Sequence, residues 1–286
     1  MERFLIITNT TKDPGNCFTQ KLRYYIMQRG KECIQIASGE DVHMERMSDK
    51  PDPERDCLLV IGGDGSVLRA AHQVLGSGVP IVGINLGTLG YLAEVERSNW
   101  REKIDLLLAG DYTIERRMML EGNLIERDKK SVSGTPVHHA LNEIVIARSG
   151  AMRMLNFNVY VDGLLLNNFD ADGMIISTPT GSTGYNLSAG GPLVEPKAEL
   201  TVLTPICAHT LNQRSVVLSA ADTIVIEMVR TPRNESIKAE AVFDGAIGIS
   251  LSYGDKIEIR RSSEVTNLVK LTPRSFLRVL HKKLSS

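Results

Sequence analysis

The residues from Leu58 to Ala71 read LLVIGGDGSVLRAA, an apolar run that ends in Gly62-Gly63-Asp64-Gly65 and continues into a helix-forming segment. A strand, a glycine loop and a helix start present backbone N–H groups to an anion. The loop has no lysine, so it is not the GxxxxGK[ST] phosphate loop. Asp64 would repel a phosphate placed on it but would accept the hydrogen bond of a hydroxyl. The chemistry this suits is phosphoryl transfer: the acid orients an attacking sugar hydroxyl while the N–H groups around Gly62, Gly63 and Ser66 hold the group being transferred. The competing reading makes Asp64 a helix N-cap, and the tetrapeptide alone does not separate the two.

Two later stretches add polar chemistry. Leu141-Asn142-Glu143-Ile144 puts an amide and an acid inside a β-like run. A buried polar pair needs partners; this one offers donors and acceptors for an adenine edge or ribose hydroxyls, or else bonds to backbone at a strand end. The stretch from Asp172 to Pro192, DGMIISTPTGSTGYNLSAGGP, leads a strand from an acid into a turn crowded with hydroxyls and glycines. Such a loop suits phosphates and ribose, and Tyr185 can stack on a base.

The elements that must position these residues change character along the chain. Strand signals over residues 4–8, 34–37, 57–61 and 81–85 alternate with helical spacing over 21–28, 66–75 and 100–108. That alternation implies a parallel sheet covered on both faces, with ligands at the C-terminal strand ends. From about residue 116 the runs are β-like: 118–125, 137–147, 155–161, 173–177, 215–219, 223–228 and 256–260. Turn signals such as Asp162-Gly163 and Asp244-Gly245 separate them. Residues 273–284 space Phe276, Leu277, Leu280 and Leu284 as one helix face, best read as docked on a domain.

Composition narrows the class. The chain has 286 residues, 42% hydrophobic and 23% charged, with 33 basic and 34 acidic side chains. The balanced charge argues against a nucleic-acid surface. No apolar run reaches the ~20 residues of a membrane span. The start, MERFLIITN, reads as a strand rather than a signal peptide. The four cysteines, Cys17, Cys33, Cys57 and Cys207, form no CxxC pair; a cytoplasmic protein with free thiols is the expectation. His138 and His139 are adjacent, so on a strand they face opposite sides and cannot readily share a metal.

Taken together, GGDGSVLRAA, the pair in LNEIVI and the DGMIISTPTGSTGYNLSAGGP loop resemble bacterial NAD kinases in order and spacing, over nearly the whole chain. The GGDG loop alone is shared with diacylglycerol, sphingosine and 6-phosphofructokinase relatives; the later motifs narrow the choice. The resemblance implies transfer of the ATP γ-phosphate to the 2′-hydroxyl of the adenosine ribose of NAD, with a divalent metal, Mg²⁺ with ATP. It implies the diacylglycerol/6-phosphofructokinase-like kinase superfamily fold: an α/β N-terminal domain with a parallel sheet over residues 1–115 and a β-rich NAD-binding domain over 116–262. Residues 263–286 would then return to the first domain. NAD and ATP are the implied substrates, in a homodimer or homotetramer.

Carried over by residue, the resemblance makes Asp64 the proton acceptor and Gly65 a contact to NAD. Arg69 becomes a phosphate contact, and Asn142 and Glu143 bind the ribose and adenine side. Arg153 stands where a pyrophosphate-binding arginine is expected. Asp172 would hold the nicotinamide end or a ribose, with Asp170 two residues before it. Thr183, Gly184, Tyr185, Asn186 and Ser188 would form the adenine-side loop. Four positions depart from the pattern. Ser66 replaces a common threonine, Gly184 a usual alanine and Asp170 a common arginine, and Ala246 stands where a polar residue is frequent. Two other readings stand beside this one: a kinase of the same superfamily acting on a lipid or sugar hydroxyl, and a non-catalytic sensor of NAD or NADP.

Overall fold

The computed structural model describes residues 1–36, 50–87, 90–126, 136–149, 154–209, 214–229, 238–271 and 276–284. It divides into two compact units, Met1–Arg117 with Glu264–Ser286, and Met118–Ser263.

The first unit opens with β1 (Arg3–Thr8), a 3₁₀ turn (Pro14–Asn16), α1 (Cys17–Met27), β2 (Glu32–Ile36) and β3 (Asp56–Gly62). It continues through α2 (Asp64–Gln73), β4 (Ile81–Asn85), β5 (Val95–Glu96), α3 (Trp100–Ala109) and the start of β6 (Thr113–Ile125). The strands pair in parallel in the order β2-β1-β3-β4-β5. Every residue of β1, β3 and β4 is buried, which is why they read as unbroken apolar runs. α1 buries Phe18, Leu22 and Ile26 at helical spacing, and Trp100 of α3 meets Phe18 and Tyr25 edge-on at 5.5 and 4.9 Å between ring centroids. α3 stops at Gly110, whose φ of 81° suits glycine.

One glycine of this sheet matters for the site. A Cβ on Gly83 of β4 would stand 2.9 Å from Val67 Cγ2 and 2.9 Å from Ala93 Cα. Its bare backbone lets α2 and the segment around Ala93 lie close together on the strand.

The second unit begins with the rest of β6, then β7 (His138–Ala140), β8 (Glu143–Ser149), β9 (Leu155–Val161), β10 (Leu164–Ala171) and β11 (Gly173–Ser177). A 3₁₀ turn (Gly181–Thr183) and α4 (Tyr185–Ser188) precede β12 (Leu200–Ile206), β13 (Val216–Ser219), β14 (Ile224–Met228), β15 (Lys238–Phe243), β16 (Ile247–Leu251) and the first part of β17 (Lys256–Lys270). One antiparallel sheet runs β13-β12-β11-β8-β15-β16, and another series runs β10-β9-β14-β17. Ile144, Ile176 and Phe243 from the former share a core with Phe157, Ile226 and Ile259 from the latter. The alternating burial of β9 and β14 follows from having one buried face. The chain then re-enters the first unit, where Leu268 pairs with Ile81 and α5 (Phe276–Leu284) carries Lys283 to 4.3 Å above the Tyr91 ring.

The structure corrects several expected elements. The run 137–147 is two strands, β7 and β8, broken at Leu141 and Asn142. The last strand extends from Lys256 to Lys270 rather than ending at Arg260. β5, β10, β12, β15 and β16 were not expected. β15, KAEAVF, has helix-forming composition, and β12 holds Pro205; pairing with neighbours overrode local preference in both. Among the described residues no helix is long and apolar enough to cross a membrane.

Candidate functional site

In the first unit, β3 delivers Gly62 and Gly63 to the start of α2. The N-cap is Gly63 and no side chain caps the helix, so the N-cap reading of Asp64 is set aside. Its carboxylate instead accepts hydrogen bonds from the backbone N–H groups of Tyr91 at 2.7 Å, Leu92 at 3.1 Å and Ala93 at 3.4 Å. These donors fix the orientation of the acid and leave acceptor capacity for a hydroxyl, since a carboxylate offers about four lone-pair sites. The Ser66 N–H donates to the Gly63 carbonyl at 2.8 Å, while the N–H groups of Asp64 and Gly65 have no carbonyl one turn earlier in the helix and can serve an anion.

Ser66 sits under the loop. A Cβ on Gly62 would stand 2.6 Å from Ser66 Cβ, so the serine occupies the space a side chain there would need. Asn9 Nδ2 and Arg69 Nη2 donate to the Ser66 hydroxyl at 3.3 and 3.4 Å. Arg69 is exposed, and its Nη1 lies 4.0 Å from where a Cβ of Gly65 would be. Gly62, Gly63, Asp64, Gly65, Ser66 and Arg69 thus converge on one helix start.

In the second unit, Asp244 organises the polar pair. Its carboxylate accepts from the backbone N–H groups of Leu141, Asn142 and Glu143 at 2.7, 2.8 and 3.1 Å. Asp244 itself adopts a left-handed φ of 48°. Thr178 Oγ1 donates to the Leu141 carbonyl at 2.7 Å, and the Thr178 N–H to the Asn142 carbonyl at 2.8 Å. A Cβ at Gly181 would stand 2.5 Å from the Asn142 carbonyl carbon, so only glycine fits there.

Asn142 Oδ1 and Glu143 Oε2 are buried and have no hydrogen-bond partner among the described residues. Such orphans are expensive unless something fills them. Burial, reinforced by the Asp244 charge and opposed by the Tyr185 N–H, pushes the Glu143 carboxyl up to about 8. Near neutrality it therefore holds a proton and offers a donor as well as an acceptor. A methyl at Gly184 would stand 3.0 Å from Glu143 Oε2 and 3.4 Å from Asn142 Nδ2.

The rest of the predicted loop divides. Tyr185 and Ser188 are exposed, and Thr183 donates to the Thr180 carbonyl at 3.2 Å. Asn186 is fully buried; its Nδ2 donates to the Ser182 and Pro192 carbonyls, and its Oδ1 accepts from Thr204 Oγ1 at 2.7 Å. Both polar atoms of the Asn186 amide are engaged in holding the loop. Asp170 and Asp172 have separate partners. Asp170 accepts from Asn156, while Asp172 takes Arg148 Nη1 at 2.8 Å and Nη2 at 3.4 Å. Arg153 lies outside the described residues. His139 Nδ1 pairs with Ser262 Oγ at 3.0 Å, and His138 leans on Phe243.

Sequence reasoning missed Arg148, Asp244 and the 91–93 segment. For the segment the only local signal is a glycine-bearing turn before it; for Asp244 it is the Asp-Gly turn; Arg148 has none.

Comparison with known proteins bears on this constellation. Residues 18–112 match the ATP-NAD kinase N-terminal domain and residues 141–271 the ATP-NAD kinase C-terminal domain. The NAD kinase of Agathobacter rectalis is 41% identical over 288 residues, covering 100% of this chain and 99% of its own. That of Lachnospira eligens is 38% identical over 304 residues, covering 99% and 100%. In fold the chain is similar to yeast NADH kinase complexed with NADH, with a TM-score of 0.83 at 23% identity, covering 100% of this chain and 88% of that one. It is also similar to an NAD kinase from Archaeoglobus fulgidus in complex with ATP, with a TM-score of 0.76 at 24% identity, covering 99% and 98%. With both domain models matched in order around the GGDG and DGMIISTPTGSTGY motifs, and relatives aligned from end to end, the chain belongs to the NAD kinase family.

Proposed function

We propose that this chain transfers the γ-phosphoryl group of ATP to the 2′-hydroxyl of the adenosine ribose of NAD, giving NADP and ADP. The observation that carries the reading is the Asp64 carboxylate, held by three backbone amides at the start of α2. In the reaction the ribose oxygen forms a bond to the γ-phosphorus, the bond to the β-phosphate oxygen breaks, and Asp64 accepts the hydroxyl proton. Phosphoryl transfer asks mainly for positioning and charge stabilisation, and a carboxylate that cannot rotate supplies the first. The N–H groups at Gly63 to Gly65 and the Arg69 guanidinium supply the second.

Asn142 and Glu143 receive the ribose and adenine side, which is supported by their two orphan acceptors. Tyr185, Thr183, Gly184 and Ser188 line that side, and Asn186 serves by keeping the loop in shape. Asp172, anchored by Arg148, takes the nicotinamide end or a ribose, with Asp170 beside it in sequence. Arg153 as a pyrophosphate contact rests on the sequence pattern alone. The divalent ion, Mg²⁺ in this reading, arrives on the ATP phosphates. Among the described residues no three His, Cys, Asp or Glu side chains are grouped to hold a metal, which suits an ion bound mainly through substrate phosphates. A cytoplasmic location and a homodimer or homotetramer complete the proposal; the exposed Leu164, Leu165 and Leu166 on edge strand β10 favour self-association.

The test is direct. Purified protein with NAD, ATP and Mg²⁺ is assayed for NADP by an NADP-specific dehydrogenase, with Asp64→Asn alongside. NADP from the native chain and at least ~100-fold less from the variant is expected. Normal turnover by the variant would remove Asp64 from the mechanism, and no NADP from folded native protein would overturn the reading.

A further inference from the structure

The GGDG loop carries no lysine of its own, yet the fold brings one to it. A Cβ built on Gly63 would stand 2.6 Å from Lys12 Nζ and 3.8 Å from Lys12 Cε. The ammonium therefore lies directly over the glycine that caps α2, although 50 positions separate the two residues in sequence. Lys12 is exposed, so the ordinary expectation is a long side chain swinging in water. The backbone beneath it is not free, however.

Residues 9–13 form a built turn. Asn9 Oδ1 accepts from the Thr11 N–H at 3.1 Å and from the Thr11 hydroxyl, and the Asn9 carbonyl accepts from the N–H groups of Lys12 and Asp13, each at 3.0 Å. Asn9 is tied in turn to the loop: its N–H donates to the Ile61 carbonyl at 2.8 Å, and its Nδ2 to Ser66 Oγ at 3.3 Å. On the far side of Lys12, buried Asp13 accepts from the Phe18 N–H, the Thr19 N–H and Thr19 Oγ1 at 2.9, 2.9 and 2.7 Å. Those bonds anchor the turn to the start of α1 and hold the Asp13 carboxyl below its usual range despite its burial. Lys12 is thus pinned at both neighbours, with its head over Gly63. Its Nζ makes no ion pair with any described residue.

We propose that Lys12 is a phosphate-binding residue of the donor subsite, contacting the polyphosphate chain of ATP where it lies on the Gly62-Gly63 loop. Together with Arg69, beside Gly65 on the following turn, it brackets the loop with two cations. This explains how a phosphate-holding loop works with an acid at its tip. Asp64 handles the hydroxyl, and a lysine from the β1–α1 turn offsets the charge of the phosphates that the acid would otherwise repel. The proposal rests on the reading that ATP phosphates occupy this loop.

Titration calorimetry of the full chain with ATP and with AMP, in Mg²⁺ buffer, tests it on Lys12→Met and Lys12→Arg. Lys12→Met should bind ATP about 10- to 100-fold more weakly, the loss expected for one charge-assisted hydrogen bond, with AMP affinity unchanged. Lys12→Arg should recover most of the ATP affinity. Unchanged ATP affinity in Lys12→Met, or an equal loss for ATP and AMP, overturns the assignment. Thermal melts of these surface variants should match the native chain. If the native chain forms no NADP while its ATP affinity still depends on Lys12, the donor subsite stands and the assignment of NAD as acceptor falls.

Discussion

Gly90 and Asp64 share one space. A Cβ on Gly90 would stand 2.5 Å from the Asp64 carboxyl carbon and 2.6 Å from its Oδ2. The carboxylate rests against a bare backbone, and the next three residues supply its hydrogen bonds. The glycine is needed because the acid lies where a side chain would be.

Gly90→Ala should therefore displace either the acid or the 91–93 segment by about an ångström. A shift of that size at a reacting group costs roughly 100-fold in rate, and we expect NADP formation to fall by about that factor. The thermal midpoint should drop by no more than a few degrees, because the site lies at the loop rather than in the core. An alanine variant with native turnover would show that the amide clasp on Asp64 is dispensable.

The Glu143 carboxyl gives the second unit a pH dependence. Its folded-state value is raised from 4.5 to about 8, first by burial and then by Asp244. Below 4.5 both folded and unfolded chains carry the proton, and the contribution of Glu143 to stability is greatest. Between 4.5 and about 8 the unfolded chain has released the proton and the folded chain has not, so stability falls as pH rises; above about 8 the loss is complete. Glu143→Gln, neutral at every pH, should remove this slope. Urea unfolding at pH 6 and pH 9 should show the native chain losing stability between them, by up to a few kcal/mol, and the variant losing less. Equal losses would mean that Glu143 is not protonated in the folded protein.

Arg148 holds Asp172 from the neighbouring strand, where β8 and β11 pair antiparallel. The two side chains are 23% and 32% exposed, so the pair adds little to stability, about 0–1 kcal/mol. Its effect should appear in substrate binding. Arg148→Met is expected to raise the KM for NAD about two- to fivefold, the ratio that corresponds to ~0.5–1 kcal/mol, while kcat stays near native. The double variant with Asp172→Asn should lose less than the sum of the two single losses. Strict additivity would show that the contact does not position Asp172.

Much of this was legible in the chain. The buried strands β1, β3 and β4 announced themselves as apolar runs, because a strand covered on both faces has no polar position to interrupt it. The helix α3 was marked by its spacing and by Gly110. Five strands escaped notice; β15, with alternate residues buried, is one that its neighbours stabilise more than its own composition does. In the site, Asp64, Asn142 and Glu143 stood out by residue type. Asn186 was read by the company it keeps in the motif, and only its burial among Ser182, Pro192 and Thr204 shows that its amide holds the loop.

By itself the sequence determined the class of fold, the glycine loop that opens α2, the polar turn after β11 and the chemistry that those residue types permit. These are local properties: hydrophobic period, turn residues and side-chain functional groups are all written within a few positions of one another. The tertiary structure alone decided which groups meet. The amides of residues 91–93 clasp Asp64, Asp244 gathers the amides of residues 141–143, Arg148 closes on Asp172, and Lys12 comes to rest over Gly63. Any backbone N–H can serve a carboxylate and any lysine can reach an anion. Such pairings leave no mark in the chain until folding brings distant residues to one place.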